Sequence, residues 1–133
     1  MNERYIRWWT PHLSRDFEML VFGGGRGLPL ILFPTSFGRF YQNKDFHLTD
    51  ACAEYVDSGK ITIYCPDAID LDSFYNKAIH PADRIRTHMA FERVIVHDVF
   101  DHARRDARLI AWLFAARASA RITPRISLFA IRT

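Results

Sequence analysis

The chain has 133 residues and a mass of 15.5 kDa, enough for one ordinary domain. Apolar residues at 49% and charged residues at 25% exclude a disordered chain, and apolar runs as short as residues 28–34 exclude a membrane-spanning helix. The net charge of +3 hides a division: residues 1–106 carry 13 Lys/Arg against 15 Asp/Glu, whereas residues 107–133 carry five arginines and no acid.

The first ten residues include Glu3, Arg4 and Arg7 and no apolar core, so no signal peptide is expected. Tyr5 to Trp9 is apolar and aromatic, ends before Pro11, and reads as a strand. Asp16 to Phe22 alternates, with Phe17, Met19 and Val21 set against Asp16, Glu18 and Leu20, the pattern of a half-buried strand. Gly23 to Gly27 is a loop. It lacks the GxGxxG spacing and no helix follows it, so a hairpin connection is expected rather than a phosphate cradle. Leu28 to Phe33 is an unbroken apolar run closed by Pro34, as in a central strand covered on both faces. Phe37-Gly38-Arg39 reads as a turn.

Asp45 to Ser58 suits a helix with Gly59 just past its end. Ile61 to Cys65 is a second buried strand, stopped by Pro66, and Asp70 to Asn76 a helical turn. Pro81 to about Arg105 carries the strongest helical pattern. Ile85, His88, Met89, Phe91, Val94, Ile95, Val96, Val99 and Phe100 form its apolar stripe. Strands alternating with long helices predict an α/β fold with a parallel sheet. Arg108 to Arg121 has helical propensity, and Ile126 to Ile131 reads as a strand. Cys52 and Cys65 make no CxxC pair, and a reducing, cytoplasmic setting is expected.

One string is unusual: Phe33-Pro34-Thr35-Ser36, then Gly38-Arg39-Phe40-Tyr41. Around it stand Arg4-Tyr5, Trp9-Thr10-Pro11, Arg15-Asp16 and Leu20-Val21-Phe22-Gly23. Further on come Tyr64-Cys65, Ser73-Phe74-Tyr75-Asn76, Arg84-Ile85, His88 and Phe91-Glu92-Arg93. Over about residues 4–110 this set resembles the esterase-D-like family of the α/β-hydrolase superfamily. The resemblance implies the N-terminal half of an α/β-hydrolase sheet with helices packed on it. It also implies a serine esterase that cleaves a small-molecule carboxylic ester by acyl transfer, without a cofactor or metal. In such folds an oxyanion-hole N–H comes from the loop after the third strand, which makes Thr35, Ser36 and Phe37 the oxyanion-loop candidates. Residue type alone favours an ordinary strand-exit turn there.

The nucleophile of such an enzyme sits on a Gly-x-Ser-x-Gly elbow after the strand that follows the long helix. That strand is expected near Arg108 to Ala111, and the sequence then runs Trp112-Leu113-Phe114-Ala115 with no glycine. Ser119 stands between two alanines, no acid follows Asp106 and no histidine follows His102. No catalytic residue is therefore assigned, and the chain alone is expected to be inactive. Read one base later, the codons of Trp112 to Ala115 begin with glycine and admit Cys-Ser next, the elbow sequence common in the resembling family. The next triplet does not give the phenylalanine expected there. Residues 1–106 are thus read as a hydrolase-like region, and residues 107–133 as an out-of-frame or divergent tail.

Other constellations favour plainer readings. His97 with Asp101, and His88 with Glu92, are i, i+4 pairs better read as solvated helix faces than as metal ligands. The tail arginines lack interleaved aromatics and no nucleic-acid partner is expected; nor is a membrane partner. Trp8, Trp9, Phe40, Tyr41, Phe74 and Tyr75 are core, interface or pocket-mouth aromatics. Half a sheet would leave an open edge and an uncovered apolar face, so self-association is the expected partnership. A non-catalytic interaction or oligomerisation module is the alternative function.

Overall fold

The computed structural model describes residues 1–107 and the backbone of residues 129–132. The fold is α/β. β1 (Glu3–Thr10) and β2 (Arg15–Phe22) form an antiparallel hairpin in register from Glu3 opposite Phe22 to Thr10 opposite Arg15. β3 (Leu28–Phe33) and β4 (Ile61–Pro66) are parallel, and β5 (Phe129–Arg132) lies parallel to β3 on its other side. The sheet order is β1-β2-β4-β3-β5. The sheet is mixed rather than all-parallel, because β2 meets β4 in the antiparallel sense.

That order overturns the hairpin expected at Gly23 to Gly27. β2 does not touch β3; the glycine loop instead carries the chain past the start of β4 to β3, which lies beyond it. Gly27 makes this possible, with φ at +77° and the backbone of Lys60 against its Cα. The next amide, Leu28 N–H, donates to Lys60 O at 2.8 Å and starts the parallel ladder.

The half-burial expected for β2 holds only at its first residues. Phe17, Met19 and Val21 pack under the long helix, while Leu20 and Phe22 are buried on the opposite face with Leu32, Val56, Ile63 and Cys65. Both faces of the sheet are therefore covered at its centre, which corrects the expectation of one uncovered face. β3 is central as expected, with Ile31 and Leu32 buried on opposite faces.

The helix expected over Asp45 to Ser58 is three short turns: α1 (Gln42–Asp45), α2 (Leu48–Ala51) and α3 (Ala53–Asp57). His47 breaks the first junction with φ at +59°, a left-handed conformation that ends a helix. Gly59, at φ +73°, closes the last turn as its position predicts.

α4 (Pro81–Arg93) begins with Pro81 in the first turn and with His80 Nδ1 accepting the Ala82 N–H at 3.1 Å. The helix then widens into a π-helical segment, Val94–Val99, before resuming as α5 (Phe100–Asp106). Each π turn takes an extra residue, which shifts the later positions around the axis. Val94, Ile95, Val99 and Ala103 are the helical residues that reach the core, against Phe17, Met19, Val21, Ile31 and Tyr64. Ile85, Met89 and Val96, counted above in the apolar stripe, are exposed. Exposed apolar side chains thus stand on the helix as well as on the outer strand, at Tyr5 and Trp9.

The helix expected over residues 108–121, the expected strand start at 108–111 and Ser119 lie outside the described residues. β5 overlaps the strand expected at 126–131 over its last three residues. Among the described residues no helix is long and apolar enough to cross a membrane.

Both cysteines are free; Cys52 is partly buried and Cys65 fully so. Burial in β4 pushes the Cys65 thiol up to about 12. An unfolded thiol ionises near ~8.5. Between about 8.5 and 12 the unfolded chain therefore releases a proton that the folded chain keeps, and stability falls as pH rises. At pH 8, Ellman's reagent should titrate Cys52 in the native protein and Cys65 only on unfolding. Rapid release of two equivalents from the native chain would show that the core around β4 opens.

Candidate functional site

β3 ends at Phe33, and the loop from Pro34 to Tyr41 connects it to α1. The loop is held at several points. Asn43, buried in α1, donates through Nδ2 to Leu32 O and Phe33 O at 3.2 and 3.3 Å, which fixes the end of β3. Gln42 reaches back from the same turn. Its Oε1 accepts the Thr35 N–H at 2.6 Å and the Thr35 hydroxyl at 2.9 Å. The Gln42 amide passes directly over Gly38, where a Cβ would collide with it. Gly38 N–H donates to Thr35 O at 2.8 Å and closes the turn.

The loop's far side is fixed by two acids that follow β4. Asp67 Oδ1 accepts from Arg39 Nε at 2.8 Å and from Phe40 N–H at 3.2 Å. The hydrogen bond to Asp67 raises the Arg39 guanidinium above its ordinary value against the opposing effect of burial. Asp70 Oδ2 accepts the Phe37 N–H at 3.3 Å. Phe37 itself has φ at +63°, a region costly for a bulky residue, and its ring packs on Tyr75 with centroids 4.4 Å apart. The Ser36 and Tyr75 hydroxyls are hydrogen-bonded at 3.0 Å.

Behind the loop lies an open pocket of about 770 Å³. Phe33, Thr35 and Ser36 form one side, Asp70, Phe74 and Tyr75 a second, and His88, Phe91, Glu92, Ile95 and Val96 the helical wall. The pocket thus sits at the carboxyl ends of the parallel strands β3 and β4, where α/β sheets bind their ligands.

Thr35 and Ser36 line this pocket, whereas Phe37 lines a smaller neighbouring cleft with Arg15, Glu18 and Arg39. Of the three candidate backbone donors, Thr35 N–H is committed to Gln42 and Phe37 N–H to Asp70. Ser36 N–H is the one not taken by these two side chains. Gln42, Asn43, Asp67 and Asp70 were not singled out by sequence reasoning as the residues that hold the loop. Gln42 and Asn43 lie within a dozen residues of the groups they hold, but nothing in residue type distinguishes them from surface amides.

His88 and Glu92, read from sequence as a solvated pair, are 3.4 Å apart and both line the pocket. The His88 ring packs on Phe74, with centroids 4.4 Å apart. His97 and Asp101 separate into different contacts. Asp101 pairs with Arg105 at 2.7 Å, and His97 stacks on His12 from the β1–β2 turn. Asp98 accepts the Trp8 indole N–H at 2.9 Å. Among the described residues no group of three or more His, Cys, Asp and Glu side chains could hold a metal ion. Trp8 packs on Phe17 and His102, while Trp9 on the outer edge strand is 61% exposed.

No family model matches the chain, and no curated protein matches it. Among solved structures, the chain is similar to the apoenzyme of S-formylglutathione hydrolase (FrmB) from Staphylococcus aureus. The similarity has a TM-score of 0.41 at 13% identity and covers 54% of this chain and 33% of that one. The chain therefore spans about a third of the hydrolase, and a likeness at this level assigns no chemistry to it.

Proposed function

We propose that this chain forms the pocket and oxyanion-loop part of a serine ester hydrolase of the α/β-hydrolase type, and that alone it turns over no ester. One observation carries the reading. The Thr35–Ser36 backbone lies between the third strand and the first helix, where such enzymes place an oxyanion donor, and it borders a ligand-sized pocket. A donor there stabilises the charge that develops on an ester carbonyl oxygen during acyl transfer. Turnover also needs a nucleophile, a base and an acid to orient the base. The sequence contains no Gly-x-Ser-x-Gly, and all its glycines precede residue 60. Among the described residues, the next strand after the long helix is β5, beside β3. Residues 107–133 enter this reading as out-of-frame or divergent sequence in place of the elbow, a choice that the DNA across codons 105–133 decides.

The test uses the full chain labelled with ¹⁵N. Phenyl acetate should shift the Ser36 amide while p-nitrophenyl acetate is hydrolysed no faster than in buffer. Hydrolysis abolished by Ser36→Ala or Ser119→Ala would overturn the inactivity. A silent Ser36 amide would overturn the pocket reading and favour the second one.

That second reading is a self-associating module. β1 is an outer strand with Tyr5 and Trp9 exposed along it, and an unpaired strand edge is a template for another chain. Concentration-dependent broadening confined to β1 amides, with a dimer in sedimentation, would support it.

A further inference from the structure

The pocket's lining is one-sided in charge. Among the described residues it includes two carboxylates, Asp70 and Glu92, and no lysine or arginine. The arginines of the neighbouring cleft are occupied: Arg39 with Asp67 at 2.8 Å and Arg15 with Asp72 at 2.7 Å. Asp70 receives one backbone N–H, from Phe37, and the Glu92 side chain is 64% exposed with His88 beside it. Aromatic faces line the same pocket. Phe74 and Tyr75 are 49% and 44% exposed, and Phe33 and Phe91 are partly buried against the core.

These features select against an anion and for a cation. A concave surface lined by carboxylates focuses a negative potential into the cleft. An aromatic face attracts a weakly hydrated organic cation through its quadrupole, and a methylated ammonium also gains from apolar contact with the rings. The apolar helical wall of Ile95 and Val96 suits the methyl groups better than it suits a hydrated metal ion.

We propose that the pocket binds an organic cation, specifically an ester whose ammonium-bearing end lies over Phe74 and Tyr75 between Asp70 and Glu92. Its ester group would then face Thr35 and Ser36. The proposal rests on the hydrolase reading only for the ester; the cation preference stands on the lining alone.

Acetylcholine and 3,3-dimethylbutyl acetate have the same shape and differ in charge. Titrated into the full chain at low salt and followed by NMR, the cation should bind about 10-fold more tightly than its neutral twin. Glu92→Gln, at an exposed helix position, should cut that preference about threefold, and adding Asp70→Asn should reduce it further, to what the aromatic faces alone supply. Phe74→Leu should weaken the cation more than the neutral ester. Equal affinities in the native chain, or a preference indifferent to Glu92→Gln, would overturn the proposal. The two readings fail separately. Equal affinities with a shifted Ser36 amide remove the cation site and leave the hydrolase reading. A cation preference with a silent Ser36 amide does the reverse.

Discussion

Gly27→Ala is expected to abolish the native fold. The added Cβ would enter the backbone of Lys60, and Gly27 sits at φ +77°, where an L side chain is strained. Neither partner can move cheaply. Leu28 N–H is bonded to Lys60 O at 2.8 Å, and the Leu28–Ile61 pair opens the parallel β3–β4 ladder. Left-handed strain at a residue unsuited to it costs about 1–3 kcal/mol. A backbone clash adds to that, and a domain of this size has only about 5–15 kcal/mol in total. Gly24→Ala is the control, because a Cβ there meets nothing within 4 Å. Urea unfolding followed by circular dichroism should show Gly24→Ala within about 0.5 kcal/mol of the native chain. The Gly27 variant should show no cooperative transition. A Gly27→Ala protein that unfolds with the native midpoint would mean that the loop does not cross β4 as described.

Asp106→Ala should cost about 2–3 kcal/mol, well above a surface change, because hydrogen bonds to a charged group are the stronger kind. Asp106 ends the long helix, and its carboxylate draws together three other elements. Oδ2 accepts from Arg4 Nη2 of β1 at 2.7 Å and from the Tyr64 hydroxyl of β4 at 2.9 Å. Arg4 Nη2 also donates to Gly23 O at 3.3 Å, and a Cβ on Gly25 would lie 2.6 Å from the Asp106 Cβ. The glycine loop therefore packs directly on this acid. Burial and the Asp106 charge push the Tyr64 hydroxyl far above its ordinary value, and the hydrogen bond to Asp106 raises the Arg4 guanidinium. Both partners thus stay protonated and donating. The Arg4 and Asp106 side chains are 35% and 20% exposed, which keeps the expected loss below that of a fully buried pair. Asp106→Asn should lose about 1 kcal/mol, since one amide oxygen still accepts. A double-mutant cycle with Arg4→Met should show coupling, as expected for groups in contact. An Asp106→Ala chain as stable as the native one would show that the ion pair is surface decoration.

Much of the architecture was legible in the residues because it follows from local rules. β1, β3 and β4 stand where stretches rich in apolar and aromatic residues end at or before Pro11, Pro34 and Pro66. Gly59 and Pro81 mark the end of α3 and the start of α4, since each satisfies a backbone requirement of its own position. The placement of Thr35 and Ser36 just past a strand belongs to the same class, whereas the turn expected at Phe37-Gly38-Arg39 begins two residues earlier, running from Thr35 to Gly38. The α/β character needed only the alternation of strands and helices.

Tertiary structure decided the rest. Which strands pair depends on free energy summed over the whole sheet, so a glycine run that locally suits a hairpin serves as a crossing beside Lys60. The π segment at Val94–Val99 lets Val94, Ile95, Val99 and Ala103 meet Phe17, Met19 and Val21, and no helical periodicity forecasts an extra residue in a turn. The pocket unites residues from three separate stretches, 33–36, 68–75 and 88–96, and its charge became visible only when Asp70 and Glu92 stood on one surface. Asp106 marked only the last acid of the sequence. Its role depends on Arg4 and Tyr64, 102 and 42 residues away along the chain. Local propensity acts through near neighbours along the chain. Sheet order, helix register and the site arise from contacts that form only once distant segments are packed.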